Sequence, residues 1–193
     1  TWYGAVAFCN WLSEMEGASA AYDLSTWTLT DPFCGGYSLP TEAEWERAAR
    51  GGHDGWRFPW GNTINHQYAN YAANGAMHSY DTTSYTTLTY HPKYATGEKP
   101  YTSPVGSFPL GRNSYGLYDM AGNVWEWCWD WYYSYYSSSP KNNPKGPSFV
   151  WTYRVVRGGS WYDWYDLGCW RVAHRVGTMP EAFSGIQGFR CVR

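Results

Sequence analysis

The sequence predicts an α+β domain, and three patterns carry that reading. Near the N-terminus Val6, Cys9 and Leu12, with Phe8 and Met15, recur at spacings of three and four, the stripe of a helix that buries one face. Thr41 and Glu44 are spaced as a capping box behind Pro40, so a second helix starts there. From Val124 the pattern changes to strict alternation. Trp125, Trp127, Trp129 and Trp131 fall on one face of a strand, and Val124, Glu126, Cys128 and Asp130 on the other. At 193 residues the chain suits a single domain with a real core.

Taken in order, the first helix runs from Trp2 to Glu16 and stops at Gly17. Residues 18–38 are turn-rich, with a short strand around Trp27 to Leu29. In the second helix Glu42, Glu44 and Glu46 favour the positive N-terminus, and Gly51-Gly52 ends it, so this element reads as scaffold. Residues 53–113 show no strong period, and a loop this long needs something to pin it, which a bound cation would supply. The indole face of the strand after Val124 is too apolar to leave in water, so it should wall the core. Tyr132 to Pro147 reads as an exposed loop, Phe149 to Arg157 as a further strand, and Arg157-Gly-Gly-Ser-Trp161 as a crowded turn.

Composition narrows the function. Net charge is −2, which implies no polyanion partner and disfavours nucleic acid. The chain holds 14 Trp and 19 Tyr but is only 16% charged. Rings beyond the need of the core suggest a recognition surface, because they give contact area at low entropic cost. Five Cys without a C-x-x-C pair disfavour zinc and thioredoxin chemistry. No apolar run is long enough to span a bilayer, and no signal peptide is visible.

Asp119 and Glu126 flank a tight Gly122-Asn123 turn. Their carboxylates, with carbonyls near Gly122 and Val124, are hard oxygens on a bent backbone and suit one structural Ca²⁺. The competing reading is a capped turn with solvated acids, and the spacing is not that of an EF-hand.

The stretch Gly116-Leu-Tyr-Asp-Met-Ala-Gly-Asn-Val-Trp-Glu-Trp127 resembles the signature of the formylglycine-generating-enzyme (sulfatase-modifying factor) family. Leu39-Pro-Thr-Glu-Ala-Glu-Trp-Glu-Arg-Ala-Ala-Arg-Gly-Gly52, Arg157-Gly-Gly-Ser-Trp161 and Gly188-Phe-Arg190 match it in the same order. The resemblance implies a C-type-lectin-like fold, loop-rich, with small twisted antiparallel sheets and two helices; the family's N-terminal strands precede the matched region. It supports the Ca²⁺ site and points to a second one at Asn70 and the Tyr71 carbonyl, whose second carboxylate would fall near Gly97. It also implies a Cys9–Cys191 disulfide, hence a cell-surface or extracellular location; the partners of the family's other disulfide match Ala49 and Ala173.

The resemblance does not carry the chemistry. Counted from Ser160, the family's two oxidising, copper-holding cysteines fall at Asp163 and Gly168, neither a thiolate nor a soft ligand, so copper and catalysis are not expected. The related iron enzymes place a His set near the first helix, and Trp2–Glu16 has no His.

Within residues 158–193, Trp161, Arg171, Arg175, Ile186 and Phe189 follow the family frame. Tyr162, Asp163, Tyr165, Asp166, Leu167, Gly168, His174, Val176, Gly177 and Phe183, with Ser184 and Gly185, share no period or chemical theme. Their codons are reachable from Asn by changing adenines, which resembles the variable proteins of diversity-generating retroelements, of the Treponema type. That resemblance implies a non-enzymatic, monomeric module binding an unknown protein or small ligand, with the variable residues exposed on one face and the frame residues buried or tied down. The rival readings are an oxidase or sulfoxide synthase of the same superfamily, and a Ca²⁺-dependent lectin.

Overall fold

Thr1 begins the first helix by accepting the Gly4 N–H on its Oγ1 at 3.1 Å. In a computed structural model that describes residues 1–30, 35–134, 142–163 and 168–193, this helix is α1 (Trp2–Met15). It buries Trp2, Ala5, Val6, Cys9, Asn10 and Ser13, while Phe8 and Met15 stand exposed. The expected stripe is therefore rotated, and two polar side chains explain it. Asn10 donates to the Tyr22 carbonyl and accepts its N–H, and Ser13 accepts the Tyr37 N–H. The buried face supplies hydrogen bonds to the returning chain as well as apolar area. That chain carries the hairpin β1 (Tyr22–Asp23) and β2 (Thr28–Leu29).

Helix α2 (Glu42–Arg50) has the full capping box, with Thr41 and Glu44 bonding reciprocally. Gly51 closes it at φ 58°, in the left-handed region glycine favours.

Four strands form the main sheet: β3 (Trp125–Trp131), β4 (Arg154–Arg157), β5 (Val176–Thr178) and β6 (Gln187–Phe189), ordered β5-β4-β3-β6. β3 pairs antiparallel with β4 and parallel with β6, so the sheet is mixed rather than antiparallel throughout. Trp125 and Trp127 pack with Trp2 and Val6 of α1, whereas Cys128 packs with Trp45 and Ala49 of α2. Both faces of β3 are covered, and Glu126 and Asp130 are buried rather than solvated. The strand expected over Phe149–Arg157 begins only at Arg154. There the β3–β4 register shifts, and the Arg154 guanidinium lies 3.8 Å from the Trp2 ring and 3.5 Å from the Trp131 ring. Backbone pairing reaches one residue further, where the Tyr132 N–H donates to the Tyr153 carbonyl at 2.7 Å.

The long stretch before β3 is pinned by side-chain hydrogen bonds. Asp81 accepts from the Tyr71 hydroxyl and from the N–H groups of Asn74 and Thr83. Asn123 accepts the Ser103 N–H at 2.9 Å and donates to its carbonyl at 3.2 Å. Phe58, Ile64, Tyr71 and Ala73 are thereby held in the core.

Candidate functional site

The turn before β3 lines a cavity of about 440 Å³ that includes Asp119, Gly122, Val124, Glu126 and Arg190. The sequence pattern groups the acids as cation ligands and does not place Arg190 beside them. Arg190 donates Nε to Glu126 Oε2 at 2.6 Å and Nη2 to Oε1 at 2.5 Å. Trp45 Nε1 also donates to Oε2, at 2.6 Å. Asp119 Oδ2 accepts the Gly106 N–H at 2.7 Å, and burial raises the Asp119 pKa above the usual carboxylate value. The fit to a cation is thus incomplete: the four residues share one cavity, but both Glu126 oxygens already serve a guanidinium. Asn70 and Tyr71 are engaged too. Asn70 Nδ2 donates to the Tyr101 carbonyl at 2.8 Å, and the Tyr71 carbonyl accepts from His66 Nε2 at 3.0 Å. Among the described residues no group of three or more His, Cys, Asp or Glu side chains gathers as a metal set.

Asp163 and Gly168, at the family's cysteine positions, both serve the backbone. Asp163 Oδ2 accepts the Ser160 N–H at 2.6 Å and the Ser160 hydroxyl at 2.7 Å, closing the turn after β4. A Cβ on Gly168, which is buried, would lie 2.2 Å from Arg171 Nη2. At φ 73° Gly159 lets this turn close against Trp170, whose Cδ1 would stand 2.6 Å from an added Cβ. Cys169 is buried beneath.

Tyr165, Asp166 and Leu167 lie outside the described residues. The other expected surface residues divide between places. Phe183 is 82% exposed, whereas His174, Val176 and Gly177 are half-buried, with Val176 against the core and Gly177 against Tyr132. Of the frame residues Trp161 is buried, and Arg175 is tied to Glu42 by Nε at 2.7 Å. Phe189 departs from expectation: it is exposed and packs edge-on against Phe8 of α1. Arg171 is also exposed, but its Nε donates to the Gly168 carbonyl at 2.9 Å.

Tyr162 lines a pocket of about 340 Å³ with Lys99, Pro100, Trp161, Ser184, Gly185 and Ile186. Trp161 is its fixed wall, donating Nε1 to the Gly185 carbonyl at 2.9 Å. Tyr162 meets the Trp161 ring edge-on at 5.2 Å and lies parallel to Tyr90 at 6.3 Å. Tyr90, Lys99 and Pro100 come from the unperiodic stretch, so sequence reading had no signal for them.

Cys9 and Cys191 are free thiols whose sulfurs lie 3.6 Å apart. The expected disulfide is not formed; the sulfurs are in hydrogen-bonding contact.

The sulfatase-modifying factor enzyme 1-like domain model matches residues 1–193. The formylglycine-generating enzyme of Thermomonospora curvata is 38% identical over 164 residues, covering 81% of this chain and 49% of that protein. The inactive C-alpha-formylglycine-generating enzyme 2 of Mus musculus is 35% identical, covering 86% of this chain and 46% of its own length. The chain therefore spans about half the length of these relatives. Among solved structures, Treponema denticola variable protein 1 superposes with a TM-score of 0.74 at 32% identity, covering 98% of this chain and 68% of that one. Together with the two helices and small mixed sheets, these matches establish the C-type-lectin-like fold of the formylglycine-generating-enzyme type, and the chain belongs to the family of sulfatase-modifying factor enzyme 1-like domains.

Proposed function

We propose that this domain is a non-enzymatic, surface-displayed ligand-binding module, with residues 158–193 as a binding segment diversified by a retroelement. The observation that carries the reading is the use made of Asp163 and Gly168. Where the family's oxidising cysteines would stand, one residue caps a turn and the other makes room for Arg171. The pocket at Trp161 and Tyr162 gives the segment a concave, ring-lined surface suited to a protein or small ligand. The likeness to a variable protein supports this reading. The 38% identity to a formylglycine-generating enzyme favours the second reading, a superfamily oxidase. Aerobic incubation with copper, a thiol reductant and a cysteine-containing sulfatase peptide separates the two. The binding reading expects the cysteine to survive unchanged; its conversion to formylglycine establishes the oxidase.

A structural Ca²⁺ at the Asp119–Glu126 turn is proposed as an ion that competes with Arg190 for Glu126. A Cys9–Cys191 disulfide is proposed for the oxidised protein and would accord with display outside the cell.

A further inference from the structure

The pocket beside Trp161 already holds a cation, and it belongs to the chain itself. Lys99 Nζ lies 4.8 Å from the Tyr162 ring centroid, 5.6 Å from Tyr90 and 5.9 Å from Trp161. All three are within the range at which a ring face attracts an ammonium. None of the ion pairs among the described residues includes Lys99, and these three rings surround its ammonium. Lys99 is exposed, and its long stem can swing the ammonium into water. Trp161 cannot move in the same way, because it is buried, bonded to Gly185, and packed at 5.2 Å against Tyr101. Gly185 lets Pro100 pack close at the pocket's edge: an added Cβ would stand 2.8 Å from Pro100 Cβ.

From this arrangement we infer that the pocket is a cage for an alkylammonium group, and that Lys99 is a built-in plug the ligand displaces. The inference rests on the reading of this segment as a ligand-binding surface and names the ligand class. Trp161, Tyr90 and Lys99 lie outside the set of residues expected to vary. Tyr162 comes from the segment expected to vary, so it decides whether a given version of the domain accepts a cation. An ammonium ligand gains ring contacts but must displace Lys99, so the plug weakens binding of every such ligand.

Choline is the probe, followed by calorimetry and by NMR shifts of its methyl groups. Its neutral carbon isostere and an indole carboxylate serve as comparisons. Lys99→Ala is expected to bind choline roughly fivefold more tightly than the parent. Tyr162→Ala is expected to lose that binding with an unchanged melting temperature, and the isostere to bind much more weakly than choline. Equal binding of choline and its isostere overturns the cation cage, as does absence of choline binding in both the parent and Lys99→Ala. If the indole carboxylate then binds and Tyr162→Ala abolishes it, the surface reading stands and only the ligand class falls. If no probe binds any form, the cation cage falls, and the surface reading is decided by exchanging the residues of the segment.

Discussion

Arg190, from the end of the chain, holds both carboxylate oxygens of Glu126 on the central strand, at 2.6 and 2.5 Å. Trp45 of α2 donates to the same carboxylate. One acid thus ties the C-terminal segment and α2 to β3. Removing only the guanidinium leaves a carboxylate largely out of water with a single remaining side-chain donor. Arg190→Ala is expected to lose about 3 kcal/mol in denaturant unfolding, and the double change Glu126→Gln with Arg190→Met much less. Equal losses would show that the ion pair itself, and not a carboxylate left unpaired, carries the cost. The calcium proposal belongs to the same turn. Millimolar Ca²⁺ is expected to raise the melting temperature, and Asp119→Ala to abolish the rise; an unchanged parent melting temperature removes the ion.

Asp130 gives the domain a pH dependence of unusual sign for a carboxylate. Burial, opposed by the Glu42 N–H and reinforced by the Glu42 carboxylate, pushes its pKa up to about 7, with Arg175 pulling the other way. Its folded pKa is above the unfolded value, so its contribution is fully present below the ordinary carboxylate pKa and is lost as pH rises through about 7. Between about pH 5 and pH 8 the parent is expected to lose on the order of 2 kcal/mol relative to Asp130→Asn. Asn keeps an acceptor for the Glu42 N–H, which Asp130 Oδ2 meets at 2.7 Å. Parallel pH profiles for parent and variant would contradict this.

The thiols of Cys9 and Cys191 offer a separate check. Protein purified without reductant is expected to yield a Cys9–Cys191 cross-linked peptide by mass spectrometry. Reduction should then lower stability by up to roughly 5 kcal/mol, since the closed loop is long. Alkylation of both sulfurs in unreduced, denatured protein removes the covalent link and the main support for an exterior location.

Several of these features were legible beforehand, and each failure has a physical cause. The capping box of Thr41 and Glu44 and the Trp alternation of β3 are short-range patterns, and the structure contains both. The burial of Glu126 and Asp130 was not legible, because their partners Arg190 and Glu42 lie 64 and 88 residues away. The face of α1 was misread because Asn10 and Ser13 are buried for their hydrogen bonds. Asp163, expected on the exposed variable face, instead caps Ser160 three residues before it, a spacing visible in the sequence. Tyr90 and Lys99 reach Trp161 from a stretch with no period to read.

The central claim is that residues 158–193 choose the ligand while the rest of the domain supplies stability. Its most direct test exchanges Tyr162, His174, Val176 and Phe183 together for the residues of another version of the domain, leaving Trp161, Gly159 and Arg175 in place. Binding to an array of candidate proteins and small molecules is measured beside the melting temperature. The expected result is a changed set of bound ligands with a melting temperature within a few degrees of the parent. An unchanged ligand set, or unfolding of the exchanged domain, would contradict the account.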